Sequence, residues 1–369
     1  MVRTRTPPAL PACYALLQSG LEDIAAQEIE QELRGEVKRT ARGLVVFRVA
    51  EIDAGLLALR TVEDVFLLAW GTDQLSYRAE DLDRIRRWTA REPDWPMLLR
   101  LHHALRPRPR GRPTYHVVTQ MQGHHGYRRQ DARDALADGL AGKLPAGWRP
   151  AQEGASLEIW LTIDQATAIC GVRLSDRTMR HRRWKVEHTP ASLRPTVAAA
   201  MIRLAEVRPG QMLLDPMCGA GTILAEYLDA SRRQYERRAP LGGDIEREAL
   251  RAAALNLRHL GPTHLVRWDA RRLPMPNGVV DRVVSNPPFG KQLAAAADIA
   301  PLYRNMLAEY DRVLRAGGRA VLLVTDLTAL RAAARAVRWK PLRQTGLRVL
   351  GQRAVLTVWH KAPSHATMA

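Results

Sequence analysis

The chain has 369 residues, 46% of them hydrophobic and 25% charged, an ordinary globular composition with room for two or three domains. A formal net charge of +18 and a sequence pI near 10.7 are unusual for a small-molecule enzyme and suit a polyanionic partner. Three widely spaced cysteines (Cys13, Cys170, Cys218) without a CxxC pair argue against structural zinc, and neither an apolar leader core nor a membrane-length apolar run is present, so a soluble cytoplasmic protein is expected.

After a Pro-rich start, Cys13 to Leu17 reads as a strand, and a helix carried by Ile24, Ile29 and Leu33 opens at Gly20. Gly43 to Val49 is a second strand, Leu56 to Leu59 a helix and Val62 to Leu68 a strand. The pattern makes either a small α+β unit of ferredoxin-like type or the edge of a larger domain. Tyr77 to Leu105 is helical in part. Arg106 to Pro113, RPRPRGRP, cannot be helical and reads as a solvated loop. Tyr115 to Val118 is a strand and Gly123 to Gly126, GHHG, a turn, whose histidines lack partner ligands at useful spacing and read as solvated. A helix over Arg133 to Leu144 and a hairpin of Leu157 to Ile163 with Ala166 to Leu174 follow. Asp176 to His188 is a linker in which Arg177, Arg180, Arg182, Arg183 and Lys185 flank Trp184, a cationic strip with a ring that a phosphate backbone would select; a merely solvated linker is the alternative.

Leu193 to Val207 is an apolar-faced helix. Gln211 to Ala225 then reads as strand, tight loop and helix: Met212 to Leu214 end in Asp215, and Gly219 and Gly221 let the backbone approach a ligand before the helix opens at Thr222. A dinucleotide fingerprint needs a third glycine where Leu224 stands, so a nicotinamide cofactor is disfavoured. Strands ending at Asp244 and Asp269 would place two acids at neighbouring carboxyl ends of a doubly wound sheet, the first suited to a ribose diol and the second to an adenine amino group. Val279 to Ser285 is a buried strand that runs into Asn286-Pro287-Pro288-Phe289-Gly290. Its prolines remove two N–H donors and leave carbonyls and the Asn286 amide beside a ring, an arrangement that suits a planar heterocycle carrying an amino group. Ile299 to Leu314 reads as a helix ending at Gly317-Gly318, Arg319 to Thr325 as a fifth strand, and Leu347 to Leu350 with Ala354 to Trp359 as a terminal antiparallel hairpin.

Together, DPMCGAGT, GGDIE, Asp269 and NPPFG resemble a class I S-adenosylmethionine-dependent amino-methyltransferase. The resemblance implies that Asp215 and the loop carrying Cys218, Gly219, Gly221 and Thr222 hold the amino-acid part of the cofactor, Asp244 the ribose and Asp269 the adenine. Ile245 and Ala270, which follow the two acids, and Thr196 on the preceding helix are counted with the cofactor site. Asn286, Pro287 and Phe289 would hold the target base. Over residues 12–176 the order of GLE, LRTVEDVF, TYHV, LEIWLTID and ICGVRLSD is similar to a ferredoxin-like domain followed by a THUMP domain, a module that binds RNA. The expected division is 12–72 ferredoxin-like, 73–176 THUMP, 177–190 linker and 191–362 Rossmann-like methyltransferase, its parallel sheet finished by an antiparallel hairpin. The absence of an SGGxDS loop disfavours the thiouridine synthetases that also carry THUMP modules.

The resemblance implies methyl transfer from S-adenosylmethionine to the N2 amine of a guanosine in tRNA, at position 6 with position 10 as alternative, by a monomer that takes the acceptor stem and 3′ end and needs neither metal nor membrane. Ribosomal RNA guanine, adenine N6 or a protein glutamine are rival substrates. A non-catalytic RNA-binding protein is the rival from another class.

Overall fold

The computed structural model describes residues 11–152, 154–189, 192–230, 238–289, 299–349 and 351–363. Two compact units emerge, one of residues up to 16 with 26–179, the other of 17–25 with 180 onward. The first contains β1 (Ala12–Leu16), α1 (Glu22–Leu33, shared at its start with the second unit), β2 (Glu36–Ala41), β3 (Leu44–Arg48), α2 (Gly55–Ala58), β4 (Asp64–Thr72), α3 (Glu80–Arg91), α4 (Trp95–Leu105), β5 (Thr114–Gln122), α5 (Arg129–Leu140), β6 (Arg149–Pro150), β7 (Leu157–Asp164) and β8 (Thr167–Arg173). Its eight strands form one sheet in the order β2-β3-β1-β4-β8-β7-β5-β6. β4 pairs antiparallel with β8, Phe66 opposite Arg173, so the strands of the ferredoxin-like pattern and those of the THUMP-like pattern share a single sheet.

Side chains explain that junction. Tyr14 stacks on Phe66 with ring centroids 4.5 Å apart, and Trp160 tilts against Phe66 at 5.6 Å. Gly171 leaves the room, because a Cβ there would lie 2.5 Å from the Tyr14 ring. Arg173 bridges the neighbouring strands, its guanidinium 2.6 Å from the buried Asp64 and 2.9 Å from Glu158. Two loop readings need correction. Arg106 is not solvated but donates to the Leu174 carbonyl at 2.6 Å and pairs with Asp176, while Arg108, Arg110 and Arg112 are exposed. In GHHG, His124 is exposed but His125 is half-buried and stacks on Tyr77 at 5.0 Å.

The expected linker begins as a short helix, α6 (Arg177–His181). The second unit continues with α7 (Pro195–Ala205), β9 (Leu213–Asp215), α8 (Thr222–Ala230), β10 (Leu241–Asp244), α9 (Arg247–Leu257), β11 (His264–Arg267), β12 (Val280–Ser285), α10 (Ile299–Val313), β13 (Leu314–Val324), α11 (Leu327–Ala336), β14 (Lys340–Val349) and β15 (Gln352–His360). Its seven-stranded sheet runs β11-β10-β9-β12-β13-β15-β14, with β15 alone antiparallel to its neighbours. All six residues of β12 are buried, as a strand covered on both faces requires. Tyr303, Met306, Leu307 and Tyr310 of α10 seal one face of this sheet. The helix stops at Val313, within one residue of the expected Leu314, but the Gly317-Gly318 pair does not terminate it. Those glycines lie within β13 instead, where Gly317 N–H donates to the Lys361 carbonyl and Lys361 N–H to the Gly318 carbonyl.

Candidate active site

The chain leaves β9 in one direction across the sheet and β12 in the other, so their carboxyl ends flank the crevice where ligands of open α/β sheets bind. A cavity of about 480 Å³ opens there, within the range of cofactor sites. Of the expected cofactor residues, Asp215, Cys218, Gly219, Thr222, Asp244, Ile245, Asp269, Ala270 and Asn286 line it.

The glycine loop is shaped by two different needs. Gly219 has φ +52°, and a Cβ on it would meet no atom within 4 Å, which leaves its backbone open to a ligand. Gly221, at φ +73°, is absent from the lining; a Cβ there would come within 3.0 Å of Ala253, so its role is to seat the loop against α9. Asp244 Oδ2 accepts from Gly219 N–H at 2.9 Å and Oδ1 from Glu246 N–H at 3.0 Å. Trp268 covers Gly243, where a Cβ would fall 2.1 Å from the indole, and donates through Nε1 to the Pro216 carbonyl at 3.0 Å. Asn256 of α9 uses its whole amide. Its Nδ2 donates to the carbonyls of Ala220 and Glu187, and its Oδ1 accepts from the N–H groups of Val186 and Glu187, at 2.9 to 3.0 Å.

Asp215 is 1% exposed and its Oδ2 has no hydrogen-bond partner among the described residues. Burial pushes its carboxyl well above the usual carboxylate range, and the Asp244 charge adds to the rise. A buried acceptor of this kind fits a cationic amino group. Asn286 Oδ1 is likewise buried and unpartnered. Asp269 reaches the cavity, but the Arg271 guanidinium grips its carboxylate at 2.6 Å and holds it below the usual range. Burial pushes the Cys218 thiol well up, so it is no thiolate nucleophile.

Other expected residues stand elsewhere. Thr196 lies in the first turn of α7, 1% exposed, and is not in the lining; Thr189, Ser192 and Leu193, just upstream, are. Pro288 borders the cavity, whereas Pro287 and Phe289 do not, and the Phe289 ring is 1% exposed. In the cationic strip, Arg177 and Arg183 are exposed and Arg180 is half-buried. Two members turn inward. Arg182 pairs at 2.8 Å with Glu226 of α8, both side chains buried. Lys185 donates to the Leu193 carbonyl, and burial pushes its ammonium down to about 8 against the opposing pull of Glu226. These two are structural and not free phosphate contacts. Arg182→Ala would take a buried ion-pair partner from the Glu226 carboxylate, and a loss of about 3 kcal/mol in denaturant unfolding is expected. Unfolding at the wild-type denaturant midpoint would count against this structural role.

The sheet order, the glycine loop and the acids at successive carboxyl ends define a Rossmann-like class I methyltransferase unit. The family model for UPF0020, an RMKL-like methyltransferase domain, matches residues 182–350. The tRNA (guanine(6)-N2)-methyltransferase of Thermus thermophilus is 30% identical over 327 residues, covering 86% of this chain and 90% of that protein. The chain therefore belongs to the THUMP-bearing class I S-adenosylmethionine-dependent RNA methyltransferases. The crystal structure of TrmN from Thermus thermophilus superposes with a TM-score of 0.76 at 25% identity, covering 95% of this chain and 99% of that one. The U6 snRNA (guanine-N(2))-methyltransferase THUMPD2 of Mus musculus is 33% identical over 191 residues; the match covers 51% of this chain but only 34% of that protein.

Proposed function

We propose that the chain transfers a methyl group from S-adenosylmethionine to the N2 amine of a guanosine in tRNA, at position 6 with position 10 as the alternative. The observation that carries this reading is the buried Asn286 Oδ1 at the mouth of β12, which like Asp215 Oδ2 in the same cavity has no hydrogen-bond partner among the described residues. One acceptor suits an exocyclic amine and the other the cofactor's α-ammonium. Asp244 would take the ribose diol, Ile245 and Ala270 would offer apolar surface, and Asp269 would receive the adenine amino group on the lone pairs that Arg271 leaves. Bound there, S-adenosylmethionine supplies an activated sulfonium methyl. The chain's own task is positioning, with Asn286 Oδ1 and the Pro287 carbonyl holding the two amino hydrogens so that the nitrogen lone pair points at the methyl, and with the surplus proton lost to water. Phe289 would stack on the flipped base once its ring is uncovered.

In this reading residues 12–72 and 73–176 are the ferredoxin-like and THUMP parts of the shared sheet, 177–190 the linker and 191–362 the catalytic domain. The enzyme takes the acceptor stem and 3′ end as a cytoplasmic monomer. Among the described residues no helix is long and apolar enough to cross a membrane. The reading is tested by incubating the protein with methyl-labelled cofactor and unfractionated tRNA and identifying the labelled nucleoside. N2-methylguanosine is expected, whereas label in N6-methyladenosine, or in protein only, would replace guanosine as the substrate.

A further inference from the structure

The positive charge of this chain is unevenly spread. From Leu327 to Ala369 there are eight arginines and lysines and no aspartate or glutamate. Within the described part, Arg331, Arg335, Arg338, Lys340, Arg348 and Arg353 are exposed. They fall on α11, the turn after it, β14 and β15. α11 carries Arg331 and Arg335 four residues apart on its outward side, the turn holds Arg338, Lys340 opens β14 ahead of a bulge between Pro341 and Arg343, and beyond that bulge Gln344, Gly346 and Arg348 are exposed on one face while Leu347 and Val349 are buried on the other. The Arg331 guanidinium donates to Gln344 Oε1, which ties the helix side to that face of the strand. Arg343, of the other parity, is engaged with Asp23 and is not part of the surface.

The surface has a direction. β14 is antiparallel to β15, and β15 to β13, so β14 runs parallel to β12 and its carboxyl end lies on the cavity side of the sheet. Through the register Ser285–Leu322–Thr357–Gln344, Gln344 stands level with the end of β12 across three strand spacings, about 14 Å, and Arg348, with Arg353 opposite it, stands about 13 Å farther along the strand on the cavity side. From there the cations continue to Lys340, about 26 Å down the strand. β14 ends the sheet; the Gln18 amide donates to the Arg348 carbonyl at 3.0 Å and Gly20 packs against Gly346, so an RNA would meet the exposed side chains of β14 and not its backbone edge. Among the described residues of this segment Leu342, 53% exposed, is the one large hydrophobic that stands out, too little apolar surface for a membrane-inserting face.

We infer that the α11–β14 edge of the methyltransferase unit is a docking surface for the sugar-phosphate backbone of the RNA whose nucleotide enters the cavity. The surface is built from residues of the methyltransferase unit that follow β13. It rests on the proposed RNA methyltransferase reading for the identity of its partner. It reads charge and not sequence, since arginines and lysines facing a backbone position the molecule without selecting a base.

The test uses the full chain with Arg335→Ala, Arg338→Ala, Lys340→Ala and Arg348→Ala combined, all exposed positions outside the cavity. Binding of unfractionated tRNA is measured across a salt series. Affinity near 0.1 M salt should weaken on the order of 10- to 100-fold, and the slope of log affinity against log salt should become shallower by about 3. Cofactor affinity by calorimetry and the thermal midpoint should stay at wild-type values, and lysine at the three arginine positions should restore most of the binding. Unchanged tRNA affinity and slope would overturn the proposal, and so would binding of the wild type to phosphatidylserine vesicles but not to RNA. A wild type that binds tRNA through these residues yet forms no N2-methylguanosine would retire the proposed reaction and leave the surface standing.

Discussion

Asn286→Ala is expected to slow methyl transfer about 10²- to 10³-fold in single turnover while leaving the affinities for cofactor and tRNA within a few-fold of wild type. The side chain is fixed by what precedes and follows it. Ser285 is fully buried at the end of β12, between β9 and β13, and the two prolines stiffen the exit. Its Oδ1 has no partner among the described residues, so an incoming amino group can satisfy it. An orphaned buried acceptor costs the free protein roughly 1–3 kcal/mol, so its removal should leave thermal stability unchanged or slightly raised. That opposite sign separates a functional role from a structural one. As positive charge develops on the amino nitrogen the acceptor gains value, which places the loss in the chemical step and not in ground-state binding. Asn286→Asp keeps an acceptor of the same shape and should retain more activity than alanine. Equal single-turnover rates for alanine and wild type at saturating ligands would remove the amino-holding role.

What could be read from the chain was whatever its local chemistry dictates. Apolar runs ending in Asp215, Asp244 and Ser285 specify buried strands, and a glycine loop or a proline pair after them specifies a carboxyl-end crevice, so the cavity's floor was visible in order. The inward turn of Arg182 was not. A cationic run looks the same whether solvated or buried, and the partner that decides it, Glu226, lies 44 residues further on. Asn256 was hidden for the same reason, since an asparagine on a helix gives no sign of four bonds to two distant backbone segments. β2, EVKRTA, went unseen because an exposed edge strand carries no apolar alternation, its residues being exposed or half-buried throughout. Thr196 was misplaced by a helical turn. α7 starts at Pro195, so the threonine enters the core, while Thr189, Ser192 and Leu193 ahead of it meet the cavity.

Asp244→Ala should weaken S-adenosylmethionine binding by about 10²- to 10⁴-fold with tRNA affinity nearly intact. Two charge-assisted bonds to a ribose diol, each about 1.5–3 kcal/mol, set that range. The structure adds a second loss, because the same carboxylate accepts from Gly219 N–H and Glu246 N–H and so holds the loop that must meet the cofactor's amino-acid part. Asp244→Asn separates the two contributions. Its single carbonyl oxygen can keep the Gly219 bond but not all the others, so affinity should fall in the order wild type, asparagine, alanine. A pH effect follows from the neighbouring acid. Asp215 is held above the usual carboxylate range by burial and, in part, by the Asp244 charge. Cofactor binding should decline as pH falls through the raised Asp215 value, since a protonated acid offers no counter-charge to an ammonium group. In Asp244→Asn that decline should move to lower pH, because the like charge is gone. Calorimetric titrations across pH would decide it: an acid limb that stays in place, with unchanged affinity above it, would take Asp244 out of both the ribose site and the electrostatics of Asp215.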